Sequence, residues 1–398
     1  MIDFIKKHKF ILFLFLLSFI LRLIYVLVVK TPIISDFKTM YDASIELLNG
    51  THNYNKTNYF LLWGYQTGHS FYQYILLKII NNVIFLKIIN CIITSFIPVF
   101  IYLIAKKFAS IKASKIMSII YALFPFPLFL NSVLTNQHLP LLLILISVYL
   151  LLNIDFKNKY IFKSILVGFL LGISNILRSE VIVILFSIFI FLIFMIKKVG
   201  FKKIFVCFIS ISSIYLCVTR GTSYIFKETN ISTNGLNNMN PYWKFVCGLN
   251  YESNGMYTET DAIIYSGNKK LAKEETINRA KKISKLPLLF AKKTKILLIN
   301  SDLSWSVGHV KNNNIKNIFN IINQIFIYIF ILLSLISLPR LLKLDNTYLL
   351  CFLIVLTYIG IYMLIEVMPR YAYSIQPFIA ILGTYGLDDI FNRFKKRN

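Results

Sequence analysis

Ten apolar runs dominate the chain, at residues 10–29, 84–105, 114–133, 139–153, 162–178, 180–197, 203–219, 316–338, 346–366 and 372–389. Most are long enough to cross roughly 30 Å of hydrocarbon. Backbone polar groups in lipid must be satisfied within the segment that carries them, so runs of this length have to be helices. The chain is therefore predicted to be an all-α polytopic membrane protein with about ten transmembrane helices. Its 57% hydrophobic residues exceed what a soluble domain needs for a core. The fourth run has only fifteen residues, and the fifth and sixth almost touch, which leaves a re-entrant hairpin open as an alternative there.

Charge orders these runs. With the N-terminus in the cytoplasm, every short basic loop falls on one side: Lys106, Lys107, Lys112 and Lys115; Lys157, Lys159 and Lys163; Lys197, Lys198, Lys202 and Lys203; Arg340 and Lys343; and Arg393, Lys395, Lys396 and Arg397. That is the bias expected of cytoplasmic loops. The formal charge of +26 thus reads as topology and as attraction to anionic membrane lipids. No aromatic-basic motif for nucleic acid accompanies it. The first run follows Lys6, Lys7 and Lys9 but lacks a small-residue cleavage site, so it reads as an anchor in the cell membrane. Four of the five cysteines, Cys91, Cys207, Cys217 and Cys351, sit in apolar runs, which leaves Cys247 without a disulfide partner.

Three regions follow from this ordering. Residues 1–219 hold seven membrane helices and a first outside loop, 30–83; residues 220–315 form a small extracytoplasmic segment; residues 316–398 hold three more helices and a basic cytoplasmic tail. Within the first loop, Phe37, Met40, Tyr41, Ser44, Ile45 and Leu48 fall on one helical face, with Lys38, Asp42, Glu46 and Asn49 on the other. An amphipathic helix lying on the membrane surface is expected there, and a second from His69 to Ile80. Leu288 to Leu298 also reads as an interfacial stretch.

Chemistry at a membrane boundary needs charges that outlive topology. Asp36 heads the first amphipathic helix, just beyond the first span, where a lipid-carried substrate would present its headgroup. It reads either as a general base or as an acid favoured by the helix dipole. Glu366-Val-Met-Pro-Arg370-Tyr371 closes the ninth run. An arginine there suits a phosphate; its bland reading is an ion pair with Glu366 at helical spacing. Arg178 pairs with Glu180 or with a ligand, and Arg22, inside the first span, snorkels or supports a site. Gln137, His138 and His69 lie on the same side as Asp36 and are candidate hydrogen-bond partners. No two histidines share ligand spacing, so no metal is expected, and no nucleotide-binding glycine motif calls for a cofactor.

Leu21-Arg22-Leu23, Ser35-Asp36-Phe37, Leu171-Gly-Ile-Ser-Asn-Ile-Leu-Arg178 and Glu366-Val-Met-Pro-Arg370-Tyr371, in that order, resemble the GT-C membrane glycosyltransferases, in particular family 39, the protein O-mannosyltransferases and aminoarabinose transferases. The resemblance implies an inverting transfer of a hexosyl or pentosyl group from a polyprenyl-phosphate donor to a hydroxyl on a cell-envelope protein, polymer or glycolipid. Asp36 matches the base of that family, and Arg370 the basic residue near the donor phosphate, with Tyr371 and Arg178 beside it. Two departures stand out: Asp36-Phe37 replaces the family's Asp-Glu pair, and Asn136-Gln137 replaces a common acidic residue. A transporter or flippase of lipid-linked sugars is the alternative, although the chain lacks the paired inverted halves of such proteins.

Overall fold

The computed structural model describes the backbone of residues 2–300, 302–343 and 345–397; the side chains of Lys6, Lys7, Lys343, Lys396 and Arg397, counted above in the basic clusters, lie outside the described residues. The chain runs through α1 (Ile2–Val28), then α2 (Ser35–Leu48), α3 (Asn58–Leu62) and α4 (Thr67–Ile79). Next come α5 (Val83–Ala105), α6 (Ile111–Leu123), α7 (Pro125–Phe129), α8 (His138–Leu151), α9 (Tyr160–Leu177), α10 (Val181–Val199) and α11 (Phe201–Glu228). Short helices α12 (Trp243–Gly248), α13 (Glu259–Tyr265), α14 (Lys269–Ala280), α15 (Leu286–Thr294) and α16 (Ser304–Val307) precede α17 (Asn313–Ile336), α18 (Asn346–Leu364) and α19 (Gln376–Arg397). The protein is an all-α, multi-pass membrane protein.

Among the described residues, α1, α5, α9, α10, α11, α17 and α18 are long and apolar enough to span a bilayer, and α6 with residues 125–132 is a pair bent by 51°, a broken span or a re-entrant loop. Ten apolar runs thus give fewer straight spans. The run at 139–153 becomes α8, whose 14 residues rise only about 21 Å. The last run becomes α19, which carries Asp388, Asp389 and Arg393 in its second half.

A hairpin was open between the fifth and sixth runs, but α9 and α10 are separate, full-length helices. The break falls in the third run. Phe124, ahead of Pro125, adopts ψ 120° instead of a helical value, because a proline ring crowds α geometry at the preceding residue. The amide of Phe126, freed by the break, donates to Asn323 Oδ1 of α17 at 2.9 Å.

The basic loops converge on one end of the bundle. There Lys107 Nζ donates to Asn153 Oδ1 at 2.7 Å, Lys198 Nζ to Asn346 Oδ1 at 2.8 Å, and the Ser110 amide to Asp388 Oδ2 at 3.0 Å. At the other end, α2 buries Phe37, Met40, Ala43, Ser44 and Leu47, while Tyr41, Ile45 and Leu48 pack with Leu77 of α4, Leu86 and Leu134. Its apolar face is therefore covered by protein, not left open to lipid as the amphipathic pattern suggests. Helix α4 in turn lies hard against α9: a Cβ at Gly68 would sit 1.9 Å from the Ile176 carbonyl oxygen.

Candidate active site

A cavity of about 360 Å³ opens at the end of the bundle opposite the basic loops. The start of α2 contributes Asp36, Phe37 and Met40; the stretch before α8 contributes Thr135, Asn136 and Gln137; the turn between α9 and α10 contributes Arg178, Ser179 and Glu180. Lys244 and Phe245 of α12, the last turns of α18, and Glu366, Arg370 and Tyr371 close it.

Three acids and three cations line this space, and most of them neutralise one another. Arg178 pairs with Glu180 and donates to Asn136 Oδ1 at 2.6 Å. Glu180 also accepts hydrogen bonds from Tyr358 (2.8 Å), Tyr362 (3.0 Å) and Ser374 (3.0 Å). These two residues lie in the turn outside both helices. Burial there works to raise the Glu180 carboxyl, but the Arg178 charge and the hydroxyl donors hold it below its ordinary value. Lys244 pairs with Glu366; burial works against its ammonium, and Glu366 more than offsets that, leaving Lys244 well above its ordinary value.

The Glu366 pairing sets aside the bland reading of a Glu366–Arg370 bridge. Helix α18 ends at Leu364, and the chain runs extended at Ile365 and Met368 before a 3-10 turn from Pro369 to Ser374. The two residues are thus not on one helical face. Their amide and carbonyl groups are used elsewhere: the Glu366 amide donates to the Lys244 carbonyl at 2.8 Å.

Among the described residues, one acid and one cation of the cavity remain without an opposite charge: Asp36 and Arg370. Asp36 is exposed. It follows Ser35, whose φ of +55° is a left-handed conformation that costs a residue with a Cβ about 1–2 kcal/mol. Arg370 is held by aromatic faces, its guanidinium 4.4 Å from the Trp305 ring, 5.4 Å from Phe37 and 5.7 Å from Tyr371. Its Nη1 is buried without a hydrogen-bond partner, a condition that costs about 1–3 kcal/mol.

The remaining candidates divide. Gln137 lines the cavity, and its Nε2 donates to the Arg370 carbonyl at 3.3 Å. His138 does not reach it: Nδ1 lies 2.8 Å from the Tyr373 hydroxyl and Nε2 3.3 Å from the Leu130 carbonyl, so the ring braces the Pro369–Ser374 turn from behind. His69 is buried in α4 away from the lining, and burial lowers its imidazole to about 4. Arg22 is not a snorkelling residue. It is fully buried, its Nη1 donating to Ser18 Oγ at 2.5 Å and to the Ser18 carbonyl at 3.1 Å.

Lys244 and Gln66 escaped the sequence reading, whereas Tyr65 and Trp305 read there as outside aromatic residues, with belt or packing roles as the default and sugar stacking as the alternative. Lys244 and Trp305 come from the 220–315 segment, where nothing in the local pattern ties either to the site. Tyr65 and Gln66 lie one turn before His69, and Gln66 Oε1 accepts from Asn136 Nδ2 at 3.0 Å.

This arrangement can be set beside known proteins. No protein-family model matches the chain, and no curated protein does. Among solved structures, the archaeal oligosaccharyltransferase AglB from Archaeoglobus fulgidus, determined with an inhibitory peptide and a dolichol-phosphate, superimposes with a TM-score of 0.52 at 12% identity. The fold is GT-C-like. The match covers 98% of this chain and 51% of AglB, so the chain spans about half the length of that protein. At this identity the likeness is one of fold, and the GT-C-like bundle is its extent.

Proposed function

We propose that this GT-C-like protein is an inverting glycosyltransferase of the family-39 kind, moving a sugar from a polyprenyl-phosphate donor to an acceptor hydroxyl on the outer face of the membrane. One observation carries the reading: a carboxylate and a guanidinium without opposite charges share a cavity whose other charges are matched. Asp36 would take the proton of the acceptor hydroxyl as its oxygen forms a bond to the anomeric carbon. The bond from that carbon to the phosphate oxygen breaks, and the polyprenyl phosphate departs with the electron pair. Its charge grows as it leaves, and Arg370, half-buried against the aromatic rings, would stabilise that growth. Tyr371 stands beside it, and Arg178 would add its charge from the same cavity wall.

A single uncommitted guanidinium suits a donor with one phosphate, whose diester carries one negative charge, better than a diphosphate. The outer-face assignment rests on the basic loops, which mark the opposite end as cytoplasmic by the positive-inside rule. AglB, with its dolichol-phosphate, lends the lipid-linked donor support by analogy. Either a protein or an envelope polymer or glycolipid can supply the hydroxyl.

The deciding experiment reconstitutes the wild type and Asp36→Asn in vesicles with a labelled polyprenyl-phosphate sugar and a cell-envelope extract. Transfer by the wild type and its loss in a correctly inserted Asp36→Asn protein is expected. Headgroup movement across the vesicle without any covalent product would instead establish the flippase reading.

A further inference from the structure

Helix α15 has two unlike faces. Leu289 and Lys293, continued by Ile296 and Leu297, are buried against the bundle. Lys293 Nζ is caged by three carbonyls, donating to Gly248 at 2.6 Å, Ile365 at 2.8 Å and Met363 at 2.9 Å. Two of these belong to the end of α18, where that span leaves the bilayer, so the cage pins α15 at the membrane boundary.

The adjoining flank is exposed, with the Lys285 ammonium 5.8 Å from the Tyr251 ring. Lys285, Leu288, Lys292 and Lys295 recur at i, i+3, i+7 and i+10, one helical stripe, and all four are exposed. Just before it, Ile283 is 73% exposed between Lys282 and Lys285. From Thr276 to Asn300 the sequence has no acidic residue at all. Arg279 is consumed by Asp261 and Glu275, and none of the stripe lysines has a carboxylate partner among the described residues.

We infer that this flank docks on anionic phospholipid headgroups of the leaflet at the cavity end. Lysines in register with an exposed leucine and isoleucine, at the level where a span ends, match an anionic interface with apolar chains beneath it. An acidic polymer in solution would satisfy the lysines and leave Leu288 and Ile283 in water. Docking has a mechanical consequence, because the Lys293 cage joins α15 to the end of α12, whose Lys244 holds Glu366 in the cavity wall. Headgroup charge would thereby brace the wall. The inference stands independently of the sugar-transfer reading.

The test uses the full-length protein with Cys217→Ser, which removes the exposed native thiol, and Leu288→Cys labelled with an environment-sensitive fluorophore. Nanodiscs of phosphatidylcholine alone are compared with nanodiscs also containing phosphatidylglycerol. Blue-shifted emission is expected only with phosphatidylglycerol, reversing near 1 M salt, where the screening length falls to about 3 Å. Lys292→Glu with Lys295→Glu, both at exposed positions, should abolish the shift. Identical emission in both discs overturns the inference. So does a shift that requires a soluble polyphosphate, which would assign the flank to an acidic polymer.

Discussion

The Arg370 guanidinium rests 4.4 Å from the centre of the Trp305 ring, so this cation is positioned by an aromatic face and not by an acid. A carboxylate partner would have fixed the side chain equally well but would have cancelled the charge that a phosphate needs. Such a contact is worth about 0.5–2 kcal/mol. Trp305→Leu should therefore raise the KM for a polyprenyl-phosphate sugar by roughly 2- to 30-fold with kcat little changed. Arg370→Ala should raise it further. Initial rates across donor concentrations separate these outcomes, and an unaltered KM in both variants would remove Arg370 from the donor site.

Glu180 gathers one guanidinium and three hydroxyls, so its loss should be felt throughout the cavity wall. Glu180→Gln leaves Arg178 buried without a counter-charge, a change that costs about 3–5 kcal/mol in comparable pairs. Thermal unfolding in detergent should show a clear drop in Tm. The pH dependence has a definite sign. A carboxyl held below its ordinary value stabilises the fold fully above the unfolded glutamate's pKa of about 4.3, and that stability is lost as pH falls through the lower folded value. Wild-type Tm should hold steady from neutral pH down to that region and then fall, with the fall reduced in Glu180→Gln.

Gly68→Ala offers a test of how α4 holds the cavity. The added Cβ would meet the Ile176 carbonyl oxygen at 1.9 Å and the Ile176 carbonyl carbon at 2.8 Å, a backbone clash that only a shift of α4 or α9 can relieve. Overpacking of this kind costs about 1–3 kcal/mol. The shift would move Gln66 and Asn136 apart, so transfer activity should fall together with Tm. A variant that loses neither would show that α4 tolerates the displacement.

Lys244 and Glu366 should behave as a unit. Lys244→Met and Glu366→Gln each strand one charge, whereas the double variant strands none, and it should recover stability relative to the sum of the single effects by more than about 0.5 kcal/mol, the usual limit of additivity. Unfolding midpoints for the four proteins of this cycle measure the coupling. Strictly additive effects would mean that the pair contributes nothing to the wall.

Much of the helical architecture could be read from the apolar runs, because lipid leaves the backbone few other choices. The positions of the breaks could not. The run from 114 to 133 looked continuous by hydropathy although Pro125 and Pro127 were in plain view, and the proline rule outweighs apolar content there. The spacing of Glu366 and Arg370 suggested a bridge only on the assumption that the helix continued; with Leu364 as its last residue, Glu366 turned to Lys244, 122 positions earlier. Asp36, Gln137, Arg178 and Arg370 come together from four distant stretches, and each was conspicuous as a polar group at the edge of an apolar run. Trp305 was visible as an outside aromatic residue, but its role depends on a loop path that no local pattern specifies.

The span broken at Phe124 is followed by Thr135, Asn136 and Gln137, which bring polar side chains into the cavity wall. On the proposed reading, a donor headgroup would enter the cavity beside these polar groups while its hydrocarbon tail stayed among its neighbours. With the proposed lipid-linked donor, capture would then ask for no extraction from the bilayer, only a sideways step along its plane.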